Sequence, residues 1–176
     1  MKINLPRAAV GTLTASAAAV LIWFAGEGLS LKPYVPTKGD VPTVGYGSTR
    51  YEDGTQVKMT DPDITKKRAE QLARNLMSQD EKQFRASLPG VKLHQEEYDL
   101  YLDFVGQYGI GNWRGSSMRK SLLVGEYFSA CQSLLKWRFQ GGRDCKLPQN
   151  WGPQGCKGVW TRQGERYSRC ITAQEG

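Results

Sequence analysis

Histidine occurs once in these 176 residues, at His94. That scarcity argues against a His-rich zinc amidase, whose metal needs several imidazoles. A Ser-His-Asp hydrolase would have to rely on His94, which lies in Lys92-Leu-His-Gln-Glu-Glu97, a polar stretch that reads as an exposed helix start. Cysteine is missing from the first 130 residues; Cys131, Cys145, Cys156 and Cys170 all fall in the last third, none with CxxC spacing. A zinc site is again disfavoured, and pairing of the cysteines would remove the nucleophile that a Cys-His peptidase needs. No nucleic-acid-binding module signature and no internal repeat occur. Carboxylate chemistry remains, with no metal or cofactor expected.

An even cysteine count fits two disulfides made in an oxidising compartment, with three pairings open. Four buried thiols in a cytosolic protein are the other reading. The formal charge of +7 and a pI near 9.3 favour anionic surfaces, whether nucleic acid, phospholipid headgroups or a bacterial wall. Hydrophobic residues at 39% and charged residues at 23% are those of one ordinary globular domain.

A long, strongly apolar run is also lacking. Ala8 to Gly26 carries no charge and, at nineteen residues, is just long enough to span a bilayer, with Lys2 and Arg7 in front to hold the N-terminus in the cytoplasm. Its first half is rich in Ala, Gly, Ser and Thr; only Val20-Leu-Ile-Trp-Phe24 is strongly apolar. Three readings stand: a cleaved signal peptide, with Ala15-Ser16-Ala17 resembling a cleavage site; a permanent anchor; or a segment that enters the membrane and later joins the folded domain.

Asp53-Gly54 is a turn signal between residues 43–49 and 55–59, which predicts a small antiparallel sheet. Downstream the apolar period becomes helical. Ala69, Leu72, Ala73, Leu76 and Met77 share a face behind Thr65, and Tyr98, Tyr101, Leu102 and Val105 share another. Phe128, Cys131, Leu134 and Leu135 follow a break near Gly125. A Gly- and Pro-rich stretch from Gly141 to Gly158 precedes a short helical segment at Gln163 to Cys170. The fold class is α+β, a small antiparallel sheet followed by a mainly helical lobe, the whole preceded by an N-terminal apolar helix.

Glu27 stands out among the carboxylates. It follows the apolar segment between Gly26 and Gly28, where a helix end can face a cleft, and partial burial would keep it protonated as a general acid. Glu27-Gly-Leu-Ser-Leu-Lys-Pro-Tyr34 and Pro42-Thr-Val-Gly-Tyr-Gly-Ser-Thr49 resemble the active-site segment of the phage-type lysozymes, glycoside hydrolase family twenty-four. Further blocks are similar in family order: Phe104 to Trp113, Ser116 to Lys120, Trp137 to Gly142 and Gly158 to Arg166.

The resemblance implies cleavage of the β-1,4 bond between N-acetylmuramic acid and N-acetylglucosamine in peptidoglycan, with Glu27 as acid and Thr43 positioning water. It puts Gln107 beside the cleft and Arg162 near the basic partner of the acid. The family carries Asp nine positions after the Glu and Thr fifteen after it; here Pro36 and a Thr43 sixteen positions on depart from that pattern. Asp40, the only carboxylate between them, is assigned the second-carboxylate role or that of an ordinary turn residue.

The acid of such enzymes ends the first domain helix, so cleavage just before Glu27 would destroy that helix. The arrangement resembles the signal-arrest-release endolysins: residues 1–26 as a weak uncleaved anchor, 27–176 as catalytic domain. The expected course is an inactive form tethered to the host inner membrane, then a monomer in the periplasm that causes host lysis. The other functional readings are a lytic transglycosylase, or a non-catalytic wall-binding or membrane-disrupting protein.

Overall fold

A computed structural model of the chain describes residues 6–36 and 39–175, with the backbone alone for residues 23–27. The chain groups into two compact units: the N-terminal residues up to Thr14 with Phe84–Gly176, and Ala15–Gln83.

The larger unit begins with β1 (Ala8–Ala9), and Ala8 lies opposite Leu93 of the antiparallel strand β4 (Lys92–Leu93). A 3-10 turn over Val10–Thr12 buries Val10, whose N–H donates to the Val91 carbonyl at 3.0 Å. These residues belong to the segment read as one apolar helix. In the fold it is divided into strand, turn and helix, and among the described residues no helix is long and apolar enough to cross a membrane. The division has a local cause. Ser16 stops helical winding toward the N-terminus by capping, its Oγ accepting from the Ala19 N–H at 3.1 Å.

Helix α3 (Gln95–Gly115) is the centre of this unit, packing on α4 (Ser117–Leu123) and α6 (Lys157–Gln174), with α5 (Tyr127–Leu134) against α4 and α6. Tyr98, Tyr101, Leu102 and Val105 are buried, as their spacing predicts. His94 takes the N-cap of α3, its N–H donating to Glu97 at 2.8 Å. The fully buried Trp113 ring lies 5.1 Å from Phe84 and 5.4 Å from Tyr101, and its indole donates to Ser87 Oγ at 2.8 Å. Such a cluster satisfies the one polar atom of a large ring while removing its apolar surface from water.

The last third departs from expectation in three places. Phe128 is 53% exposed, so only Cys131 and Leu134 of its presumed face are core. A hairpin, β5 (Phe139–Gln140) and β6 (Arg143–Asp144), turns through Gly141 and Gly142, both at positive φ, inside the stretch read as irregular. Helix α6 has 18 residues instead of a short segment, because Gln163, Arg166 and Cys170 are buried along it despite Gly158 and Gly164. The open pairing is resolved as Cys131–Cys170 and Cys145–Cys156.

In the smaller unit α1 (Ala17–Glu27) leads into β2 (Ser30–Tyr34), which pairs antiparallel with β3 (Thr43–Gly45). The helix α2 (Lys66–Ala86) covers the hairpin: Ala69 and Ala73 pack on Tyr46, and Leu72 on Val44 and Val57. Gly45 is required here. Its φ is +69°, and a Cβ would lie 3.2 Å from that of Ala69. Thr65 caps α2 as expected, accepting from the Arg68 N–H at 3.2 Å. The Asp53-Gly54 turn forms, with Tyr51 N–H donating to the Thr55 carbonyl, but it joins only a single bridge at Arg50 and Gln56. The main hairpin is β2–β3.

Also on α2, burial pushes the Asp80 carboxyl up to about 6. Between its ordinary value and that one, the folded chain holds a proton that the unfolded chain has released. Stability therefore falls as pH rises through that window. Asp80→Asn is expected to raise the thermal midpoint at neutral pH and leave it unchanged below about pH 4. An equal gain at both ends would show that the titration of Asp80 is not the cause.

Candidate active site

Glu27 is the last residue of α1, and Gly28 follows as its C-cap with φ +66° and ψ 162°. A non-glycine residue is strained at that φ, so the Gly after the acid is what lets the helix stop and the chain turn at once into β2. The Glu27 carboxyl lies outside the described side chains. Ser30 stands opposite Gly45 and Tyr34 opposite Thr43, so the return strand brings Gly45 back beside the Glu27 end of β2 and leaves Thr43 at the far end, beside Tyr34. Thr43 is 4% exposed, and its hydroxyl donates to the Val41 carbonyl at 3.1 Å. With that proton committed, its oxygen lone pairs are what it can offer to a water. Asp40 is exposed and follows Gly39, which has φ +96°. Residues 37–38, in the turn before it, lie outside the described residues.

Gln107 and Arg162 belong to the larger unit, on α3 and α6, which pack together. Both are half-buried, and Gln107 Oε1 is buried without a hydrogen-bond partner among the described residues. Between these helices lies a polar cluster that the sequence did not disclose. Arg166, 1% exposed, donates from Nε to Asp103 Oδ2 at 2.8 Å and from Nη2 to the same oxygen at 2.5 Å. Gln163, fully buried, donates to the Tyr108 hydroxyl at 2.8 Å, and that hydroxyl donates to the Trp137 carbonyl at 3.2 Å. Arg166 Nη1 and Gln163 Oε1 also lack partners among the described residues.

Burial pulls the Arg166 guanidinium below its ordinary range, and Asp103 opposes the shift. Burial raises the Tyr108 phenol, against the Gln163 hydrogen bond and the charges of Arg166 and Arg162. Arg162 is thus electrically coupled to both. Orphaned polar atoms this deep cost free energy, and they gather where polar function is common. The clue in sequence was the spacing of Asp103 with Gln107 and of Arg162 with Arg166, each one helical turn apart.

A hollow in the smaller unit is lined by Tyr51, Glu52, Asp61 and Arg68 among others, and by none of the candidate site residues. Its polar groups satisfy one another, Tyr51 donating to Asp61 at 3.0 Å and Arg68 to Glu52 at 3.2 Å. Among the described residues no group of three His, Cys, Asp or Glu side chains is placed to hold a metal ion.

Residues 25–149 match the family model described as phage lysozyme. The endolysin of Salmonella phage P22 is 30% identical over 118 residues, 67% of this chain and 78% of that protein. An endolysin from the Escherichia coli O157:H7 phage FAHEc1 has a similar structure, with a TM-score of 0.72 and 21% identity, over 92% of this chain and 95% of its own. The muramidase domain of SpmX from Asticaccaulis excentricus follows with a TM-score of 0.68 and 17% identity, over 90% and 97%. The sequence over residues 25–149, and the α+β arrangement that carries it, place this chain in the phage lysozyme family, as a glycoside hydrolase of the lysozyme type.

Proposed function

We propose that the chain is an endolysin that hydrolyses the β-1,4 bond between N-acetylmuramic acid and N-acetylglucosamine in peptidoglycan, with Glu27 as the general acid. The observation that carries this reading is the place of Glu27: the final residue of α1, turned by Gly28 into the β2–β3 hairpin that bears Thr43. Thr43 holds the attacking water through its hydroxyl oxygen, and Asp40 guides that water or stabilises oxocarbenium charge.

The N-terminal segment is read as an uncleaved, weakly held anchor in the inner membrane. Support comes from the use the fold makes of it. β1, the buried Val10 and the Ser16 cap all precede Glu27, and cleavage at Ala15-Ser16-Ala17 would remove the strand and the cap from the mature chain. Small residues make escape from lipid cheaper, since each buries less apolar surface than Leu.

The test is mass spectrometry of fragments released from purified peptidoglycan by soluble protein prepared from the periplasm. Full-length protein in both membrane and soluble fractions is expected, and fragments with hydrated reducing muramic ends that vanish in Glu27→Gln. Asp40→Asn is expected to lose most activity. Full activity in it would reduce Asp40 to a turn residue. Anhydro ends would move the enzyme to the lytic transglycosylases, and fragments independent of Glu27 would overturn the assignment of the acid.

A further inference from the structure

Between Lys136 and Lys157 the chain has five basic residues and one carboxylate, Asp144. The carboxylate is already occupied: Arg138 Nε lies 3.0 Å from both its oxygens. No salt bridge among the described residues involves Lys136, Arg143, Lys146 or Lys157. The same stretch exposes apolar side chains, Phe139 at 55%, Leu147 at 40% and Trp151 at 37%. Cations and rings are interleaved. Lys157 Nζ stands 4.9 Å from the Trp151 ring, Lys146 Nζ 5.7 Å from Trp160, and the Arg138 guanidinium 5.1 Å from Phe139.

This segment is rigidly tied. The Cys145–Cys156 disulfide closes it across 11 positions. Inside the loop Trp151 Nε1 donates to the Cys145 carbonyl at 2.9 Å, Asn150 Nδ2 to the Asp144 carbonyl at 2.8 Å, and the Cys156 N–H to the Asn150 carbonyl at 2.9 Å. At Gly155 a Cβ would fall 2.5 Å from the Asn150 carbonyl oxygen, so the loop closes only around glycine. Exposed aromatic rings on a backbone fixed in this way lose little entropy when a ligand covers them. Unpaired cations beside them select an anionic one.

We infer that the hairpin from Phe139 to Asp144 and the disulfide-closed loop from Cys145 to Cys156, with Lys157, form a wall-docking surface that binds the polymer through contacts additional to those at Glu27. Its ligand is a glycan strand bearing acidic peptides: the apolar faces of sugar rings lie on Phe139 and Trp151, and the peptide carboxylates on Lys146, Lys157 and Arg143. The inference rests on peptidoglycan as the substrate. It adds retention on an insoluble polymer to the cleavage of it.

Two variants test it, Lys146→Glu/Lys157→Glu and Phe139→Ser, neither of which removes a group that closes the loop. Binding is read by cosedimentation with insoluble peptidoglycan in the Glu27→Gln background, so that the polymer stays intact. Turnover is read with Glu27 present, on a short soluble oligomer of the two amino sugars without peptides. The charge reversal is expected to weaken cosedimentation about tenfold or more, and the parent's binding should fall with added salt. Turnover of the soluble oligomer should not change in either variant.

Unchanged cosedimentation in both variants would overturn the inference. So would an equal loss on the soluble oligomer, which would make the segment part of the cleft. Binding lost only to vesicles of anionic phospholipid, with wall binding kept, would assign the surface to a membrane instead. Failure of the muramidase reading is separately visible, as the absence of Glu27-dependent fragments; patch-dependent cosedimentation would still uphold the docking surface.

Discussion

Arg7→Met is expected to cost about 3–5 kcal/mol of stability, the usual penalty for stripping one partner from a buried ion pair. The other partner is Glu97, whose side chain is fully buried near the start of α3. Four donors hold its carboxylate. Arg7 Nε approaches at 3.0 Å and Nη2 at 3.2 Å, the His94 N–H at 2.8 Å and Gln174 Nε2 at 2.7 Å. Without the guanidinium, two donors and the countercharge are lost together. Methionine keeps an unbranched apolar stem but also gives up the guanidinium's place over Tyr127, 3.7 Å from the ring centroid, so the loss is mainly electrostatic. Adding Glu97→Gln to Arg7→Met removes the stranded charge and is expected to recover part of the stability, since the amide oxygen can still accept from the His94 N–H. Urea denaturation of the two single variants and the double gives the coupling directly. A cost below about 1 kcal/mol for Arg7→Met, typical of exposed pairs, would show that Glu97 finds other compensation.

This pair bears on the proposed release from the membrane. Arg7 directly precedes the apolar segment, and Ala8 and Ala9 complete a sheet with Lys92–Leu93. On that proposal a chain whose residues 8–26 lay in lipid would have its Arg7 fixed at the bilayer surface, leaving Glu97 without its countercharge. Release from the bilayer and completion of the larger unit then become a single event.

The parts of this arrangement that sequence disclosed are the local ones. Thr65 before an apolar 3.6-residue period announced α2, and the face of Tyr98, Tyr101, Leu102 and Val105 announced α3, because amphipathic spacing reports burial directly. The end of α1 at Glu27 was legible from the glycine after it. Arg7 with Glu97 was not, since the two are separated by 90 positions and no local rule links them. The N-terminal segment misled for a related reason. Composition shows that Ala8 to Gly26 avoids charge, but only tertiary pairing with Lys92–Leu93 makes its first residues a strand. Helix α6 was read too short because Gly158 and Gly164 each weaken a helix by about 1 kcal/mol, and burial of Gln163, Arg166 and Cys170 outweighs them. Gln163 and Arg166 form the polar cluster with Tyr108 and Asp103, the part of the larger unit's polar interior that only the fold revealed.

The two disulfides should differ in what they hold. Cys131–Cys170 spans 39 positions, and both cysteines are fully buried where α5 packs on α6. By chain entropy a loop of that length stabilises the fold by about 4 kcal/mol, against about 3 kcal/mol for the shorter Cys145–Cys156 loop. The longer bridge also fixes the end of α6, which sends Gln174 to Glu97 and sets Cys170 Sγ 3.3 Å from the Tyr101 hydroxyl. Cys131→Ala/Cys170→Ala is therefore expected to lower the thermal midpoint by about 8–16 °C, taking roughly 2–4 °C per kcal/mol for a chain of this size. It should also reduce catalysis, because α6 carries Arg162 and Gln163. Cys145→Ala/Cys156→Ala should lower the midpoint less and act chiefly on cosedimentation with the wall, because it loosens the exposed loop while α6 keeps its bridge to α5. Calorimetry of both variants, set beside their rates on the soluble oligomer, separates these outcomes. A larger loss of midpoint from the shorter loop would mean that the exposed excursion, and not the α5–α6 seam, holds the C-terminal part of the unit together.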